Sequence, residues 1–195
     1  VERLPASLYG IGACAFANAC GLDASRRKLS LSTPISLGTR AFYQCDFARV
    51  YFSGTSPAIL EDNVFESCRE LEVVIFDGDA TLSANAFLSC YQLRAVVFYQ
   101  NVEIADAAFK GCSKDLRLFF HGVEPLERYS EQEWRAKGIM HTGHLLSDEE
   151  NSISDGNSTV EDIERLIPCD DDELPNLFRR MGLDQEQPRI SRRHP

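Results

Sequence analysis

A short motif recurs along the first part of the chain, and its interval limits the possible folds more tightly than any other feature. Five segments share the form apolar-x-x-x-Ala-Phe: Ile11 to Phe16, Leu37 to Phe42, Leu60 to Phe65, Leu82 to Phe87 and Ile104 to Phe109, with Val64 replacing the alanine in the third. Each phenylalanine is followed by a cysteine, Cys20, Cys45, Cys68, Cys90 and Cys112, and successive phenylalanines lie 26, 23, 22 and 22 residues apart. A period in the low twenties, held over five copies, specifies a solenoid. One turn of this length cannot bury its apolar face alone and does so against its neighbours.

A second pattern follows each cysteine. Cys68 leads to Leu71-Glu-Val-Val-Ile-Phe76, Cys90 to Leu93-Arg-Ala-Val-Val-Phe98 and Cys45 to Phe47-Ala-Arg-Val-Tyr-Phe52; after Cys112 it is Leu116-Arg-Leu-Phe-Phe120, one residue later. These runs are rich in β-branched and aromatic residues and have the length of a strand. Stacked coil on coil, they predict a parallel sheet with strands about 4.8 Å apart. Between strands, Ala-Phe-x-x-Cys reads as a single helical turn, with Phe filling the coil interior and Cys acting as a small buried hydrophobe.

The complete unit, I/L-x-x-x-A-F-x-x-C-x-x-L-x-x-V-x-F, resembles the BspA-like leucine-rich repeat (the LRR_5 type) from about Leu4 to His121, roughly 60% of the chain. The departures are one extra residue between Phe16 and Cys20, an insertion within Gly21 to Lys28, and Val64. The resemblance implies an α/β fold: a right-handed leucine-rich-repeat solenoid with a parallel concave sheet over residues 1–121. Val1-Glu-Arg-Leu-Pro5 resembles the end of a strand from a preceding repeat, and residue 1 is read as a cut edge in a longer array. At the other end, Pro125 to Arg135 resembles the family's terminal helix, so residues 122–139 are expected to form a cap, with Leu126, Tyr129 and Trp134 near one face and Gly138 as the stop.

Charge divides the chain. Residues 140–195 hold 13 acids against six arginines, a net of −7 out of −10 overall. This part reads as an acidic, mostly disordered tail with helix candidates at 160–167 and 174–182. Neither part has the basic excess that nucleic-acid binding requires, and no apolar run approaches the ~20 residues of a membrane-spanning helix.

The chemistry-bearing residues have plain readings. The five in-register cysteines form a row of buried free thiols. Their spacing does not exclude a disulfide, but zinc ligands must converge on a point. His141-Thr-Gly-His144 reads as a polar turn and Asp170 to Glu173 as solvated charge rather than a calcium loop. Asn157-Ser-Thr159 is a glycosylation sequon and Ser147 to Glu150 an acid-directed kinase pattern. No catalytic signature is present, so no enzyme activity and no cofactor is expected.

The expected concave face carries the functional reading. In the L-x-x-V-x-F frame its central column is Tyr51, Ile75, Val97 and Phe120, beside Arg49, Val73, Ala95 and Leu118, with Arg94 and Arg117 flanking. In the last coil Leu116, Leu118 and Phe120 alternate, and a one-residue slip would turn them inward. The expected function is a non-enzymatic protein-binding or adhesion module that takes protein ligands on this face and also contacts a missing N-terminal part. The family resemblance implies display at the cell surface. The alternatives are an intracellular scaffold whose tail helices bind a partner, or a structural spacer.

Overall fold

The computed structural model describes residues 2–3, 8–21, 27–120, 128–140 and 145–147. The chain runs β1 (Glu2–Arg3), β2 (Gly10–Ile11), β3 (Lys28–Ser32), β4 (Ile35–Leu37), β5 (Arg49–Ser53), β6 (Ala58–Leu60), β7 (Val73–Phe76), β8 (Ala80–Leu82), β9 (Ala95–Phe98), β10 (Val102–Ile104), β11 (Arg117–Phe120), α1 (Glu131–Ala136) and β12 (Leu145–Ser147). Two parallel sheets result: a seven-stranded sheet ordered β1-β3-β5-β7-β9-β11-β12, and a five-stranded sheet of β2, β4, β6, β8 and β10. The molecule is a parallel β-solenoid of about five turns. The seven-stranded sheet is the one expected from the post-cysteine runs. β12 adds a strand to it from within the stretch read as a tail.

The five-stranded sheet was not foreseen. Four of its strands are three-residue apolar-x-apolar pieces, Ile35-Ser-Leu37, Ala58-Ile-Leu60, Ala80-Thr-Leu82 and Val102-Glu-Ile104, whose outer residues are buried and whose middle one is not. Period-2 alternation this short is visible only once coils are aligned with one another.

The Ala-Phe segment is also not the helical turn that was expected. Its N–H groups alternate between two destinations. Ala15 and Ala17 donate three residues back, to Gly12 and Cys14, while Cys14, Phe16 and Asn18 donate to Thr39, Ala41 and Tyr43 of the next coil. The next coils repeat this, with Arg40, Phe42 and Gln44 donating to Asp62, Val64 and Glu66, and Asn63, Phe65 and Ser67 to Ala84, Ala86 and Leu88. A helix would direct every N–H along its own axis; here half of them join coils. The alternation needs a left-handed residue two places before and two after each phenylalanine: Cys14 and Asn18, Arg40 and Gln44, Asn63 and Ser67, Asn85 and Ser89, Ala107 and Gly111. Each non-glycine in that region costs roughly 1–2 kcal/mol, least for Asn, and the coil-to-coil bonds offset it.

Two aromatic ladders fill the core. Phe16, Phe42, Phe65, Phe87 and Phe109 stack with centroids 5.3, 5.4, 5.5 and 5.5 Å apart. From the strands, Phe52, Phe76, Phe98 and Phe120 stack at 4.5, 5.3 and 5.4 Å, and Trp134 lies 6.0 Å beyond Phe120.

α1 closes this end. Ser130 caps it: its hydroxyl accepts from the Glu133 N–H, and its own N–H donates to the Glu133 carboxylate at 2.7 Å. The Ser130 hydroxyl also donates to that carboxylate at 2.7 Å, and this bond first, then the N–H bond, hold the Glu133 carboxyl below its usual pKa. The last Ala-Phe segment donates not to another Ala-Phe segment but to the end of α1. Ala107 N–H donates to the Ala136 carbonyl at 2.8 Å and Phe109 N–H to the Lys137 carbonyl at 2.9 Å. Gly138 makes this approach feasible. Its φ is 99°, and a Cβ there would lie 2.6 Å from the Lys110 nitrogen and the Phe109 carbonyl carbon. Lys137 is buried with its ammonium 4.2 Å from the centre of the Tyr129 ring and 3.6 Å from Asp106, and Tyr129 packs edge-on to Trp134 at 5.0 Å. Leu126 lies outside the described residues.

Candidate functional site

The register of the seven-stranded sheet decides which side chains share a face. Val50, Val74, Val96 and Leu118 form one row and Phe52, Phe76, Phe98 and Phe120 another; both belong to the core. Alternating with them run the outward rows. Lys28, Arg49, Val73, Ala95 and Arg117 make one, and Ser30, Tyr51, Ile75, Val97 and Phe119 the other.

The expected frame therefore holds through β9 and slips by one in β11. Phe120 is not in the central outward column; it stacks on Phe98 in the core, and Phe119 pairs with Val97 in its place. Leu118 likewise points inward beside Val96. The cause is local. Cys112 is four residues from Leu116 where Cys90 is three from Leu93, and the residue is recovered within the strand, so the pattern there becomes L-x-L-x-F. The alternation of Leu116, Leu118 and Phe120 left this slip open, and because Leu118, Phe119 and Phe120 are all apolar, the sequence alone did not decide it.

The column is also less open than expected. Val73, Val97 and Phe119 are 1%, 4% and 4% exposed. Tyr51 and Ile75 are half-buried, as are Arg49 and Arg117, and Arg94 is exposed. The Tyr51 hydroxyl donates to the Asp77 carboxylate at 2.8 Å, which fixes the ring on the sheet, and Arg94 stands 3.9 Å from Glu72. The accessible part of the face is thus its N-terminal half: Tyr51 and Ile75, with Lys28 and Ser30 of β3 beside them and Arg49 and Arg94 at the rim. Lys28 and Ser30 were missed because the insertion after Gly21 hides the phase of β3.

The cysteines have a role that composition did not reveal. The thiols of Cys45, Cys68, Cys90 and Cys112 donate to the carbonyls of Phe16, Phe42, Phe65 and Phe87 in the preceding coil, at 3.0, 3.0, 3.0 and 3.1 Å. Cys20 departs from this and donates to the Gln44 carbonyl. All six described cysteines are free thiols. Burial pushes Cys45 up to about 11 and Cys112 up to about 12, and raises Cys68 and Cys90 as well. A thiol held neutral and bonded to a carbonyl is a poor nucleophile and a poor ligand.

Among the described residues no three His, Cys, Asp or Glu side chains converge as metal ligands, and no helix is long and apolar enough to cross a membrane. A shallow hollow of about 410 Å³ lies on the five-stranded sheet beside the cap, lined by Thr81, Glu103, Arg128 and Tyr129 among others. It is not at the outward column. His141 and His144, the sequon, Asp170 to Glu173 and both tail helix candidates lie outside the described residues.

Comparison with curated proteins and with solved structures finds no match. The BspA type leucine rich repeat region matches residues 3–115 in six copies. Six is also the number of strands from β1 to β11 in the seven-stranded sheet. With more than half of its length matched and the repeat geometry in place, the chain belongs to the BspA-type leucine-rich-repeat family.

Proposed function

We propose that this chain is a non-enzymatic protein-binding module and that its ligand docks on the outward face of the seven-stranded sheet, centred on Tyr51 and Ile75. The observation that carries this reading is an apolar centre bordered by Arg49, Arg94 and Lys28. An apolar centre with a polar rim matches interface anatomy, and Tyr and Arg are frequent anchors. Val73, Val97 and Phe119 serve behind this patch as support, and Arg117 extends the rim. The family suggests protein interaction; adhesion and surface display enter this reading through the family alone.

Selection from a random peptide-display library on the immobilised chain supplies a probe. Ile75→Asp is expected to weaken the selected peptides by about 2 kcal/mol or more, roughly thirtyfold, by placing an unpaired charge in the contact. Arg94→Glu should weaken them less. Peptides that bind Ile75→Asp and Arg94→Glu as tightly as the parent would place the ligand elsewhere.

A further inference from the structure

The N-terminal face of the first coil is built like the inside of the solenoid. Between successive coils, the carbonyls one and three places before each phenylalanine and one place after it accept N–H groups from the coil before. Thr39, Ala41 and Tyr43 do so in the second coil, and Asp62, Val64 and Glu66 in the third. The equivalents in the first coil are Ala13, Ala15 and Ala17, whose carbonyls accept no hydrogen bond from the described residues. Ala15 is exposed where Ala41, Val64, Ala86 and Ala108 are all 0% exposed, and Phe16 is 40% exposed where the other four ladder rings are at most 1%. Among the described residues Phe42 alone stacks on Phe16. Residues 8–21 carry no charged side chain, although a terminal solenoid repeat normally shows solvent a polar face. Among the described residues β1 and β2 are the outermost strands of their sheets at this same end.

We propose that this face is a docking surface for one further coil of the same repeat, continuing the solenoid in the N-terminal direction. The occupant is set by hydrogen-bond polarity. The Ala-Phe segment of the first coil offers only acceptors here, because its inter-coil N–H groups are already given to the second coil. A second copy turned face to face would set carbonyls against carbonyls. A second copy placed head to tail cannot supply donors either, because the N–H groups of Ala107 and Phe109 are bonded to the end of α1. An uncapped coil of this repeat presents the three N–H groups at the right spacing, an aromatic ring for the open face of Phe16, and edges for β1 and β2. It would form the same interface that already joins every pair of neighbouring coils.

The test is a fusion. Glu2 is in register with Leu29, Val50, Val74 and Val96, so a duplicate of residues 73–94 placed ahead of Val1 keeps the phase. The fusion should melt several degrees above the parent, since each added repeat brings a nearest-neighbour interface. Phe16→Glu should lower the midpoint by a few degrees in the parent and by roughly 10 °C or more in the fusion, where Phe16 becomes core. Three results would overturn the proposal. One is an unchanged midpoint with the added coil cleaved by protease as fast as an unfolded segment. Another is an equal effect of Phe16→Glu in both chains. The third is a parent chain that sediments as a dimer and becomes monomeric with Phe16→Glu, which would assign the face to a second copy.

Discussion

At the residue scale, the repeated cysteine is the position where the protein uses more of a side chain than its size. As a small hydrophobe it could be replaced by Ala or Val. As a donor to the phenylalanine carbonyl of the preceding coil it links coils, and burial keeps it neutral. The folded-state pKa lies above the ordinary value of 9.0 and reaches about 11 for Cys45 and about 12 for Cys112. The stabilisation tied to the neutral thiol is therefore complete below about pH 9 and decays as pH rises towards 11–12. Cys45→Ser keeps a donor that does not ionise in this range. It should flatten part of the fall in thermal midpoint between pH 9 and 11, and an unchanged alkaline slope would remove the role assigned to this thiol. A chromogenic disulfide reagent at neutral pH should label exposed Cys14 quickly and Cys20 more slowly, because the Cys20 thiol is bonded to the Gln44 carbonyl and its pKa is raised. Cys45, Cys68 and Cys90 should react only on unfolding.

The outward column supplies a second residue-scale prediction. Val97 is 4% exposed while Ile75 is half-buried. Val97→Asp should cost several kcal/mol, because it buries an unpaired carboxylate, and Ile75→Asp should cost under about 1 kcal/mol, as at other partly exposed sites. Urea denaturation of the two variants measures both, and equal losses would mean that one burial is misassigned. Phe87→Ala, in the middle of its ladder, should cost about 3–5 kcal/mol.

At the element scale, legibility followed length and redundancy. Strands β5, β7 and β9 were readable because four-to-five-residue runs repeat with one phase. β11 was not, because three consecutive apolar residues, Leu118 to Phe120, suit either phase until the neighbouring register chooses. The three-residue strands β4, β6, β8 and β10 fell below what a single-window pattern can show. The Ala-Phe segments were read as helical because Ala and Phe at that spacing fit a helix. The left-handed residues that redirect alternate N–H groups include Arg40, Gln44 and Ala107, types that do not advertise the conformation. Tyr129, Trp134 and Gly138 did mark the place of α1. Gly138→Ala combines a strained φ with a Cβ placed against the backbone of the last coil. It should cost more than about 2 kcal/mol and speed hydrogen exchange at Ala107 and Phe109. Unchanged exchange at those two amides would contradict the role of α1 as a substitute coil.

At the scale of the whole molecule, stability is a sum of coils and the interfaces between neighbours. This is why a period read from the sequence conveyed so much of the architecture: one coil, once understood, is repeated. It is also why the period says little about the ligand. The core residues recur, and the outward positions Tyr51, Ile75 and Val97 are free to differ from coil to coil. What distinguishes this chain lies in that non-repeating face, whose openness depends on packing that no local pattern encodes.

The most direct measurement is amide chemical-shift mapping of the isotope-labelled chain with a peptide selected on it. The account predicts that the perturbed amides form one patch across Lys28–Ser32, Arg49–Ser53 and Val73–Phe76, strongest at Tyr51 and Ile75. Perturbations confined to Ile35–Leu37, Ala58–Leu60 and Ala80–Leu82 on the five-stranded sheet would contradict it.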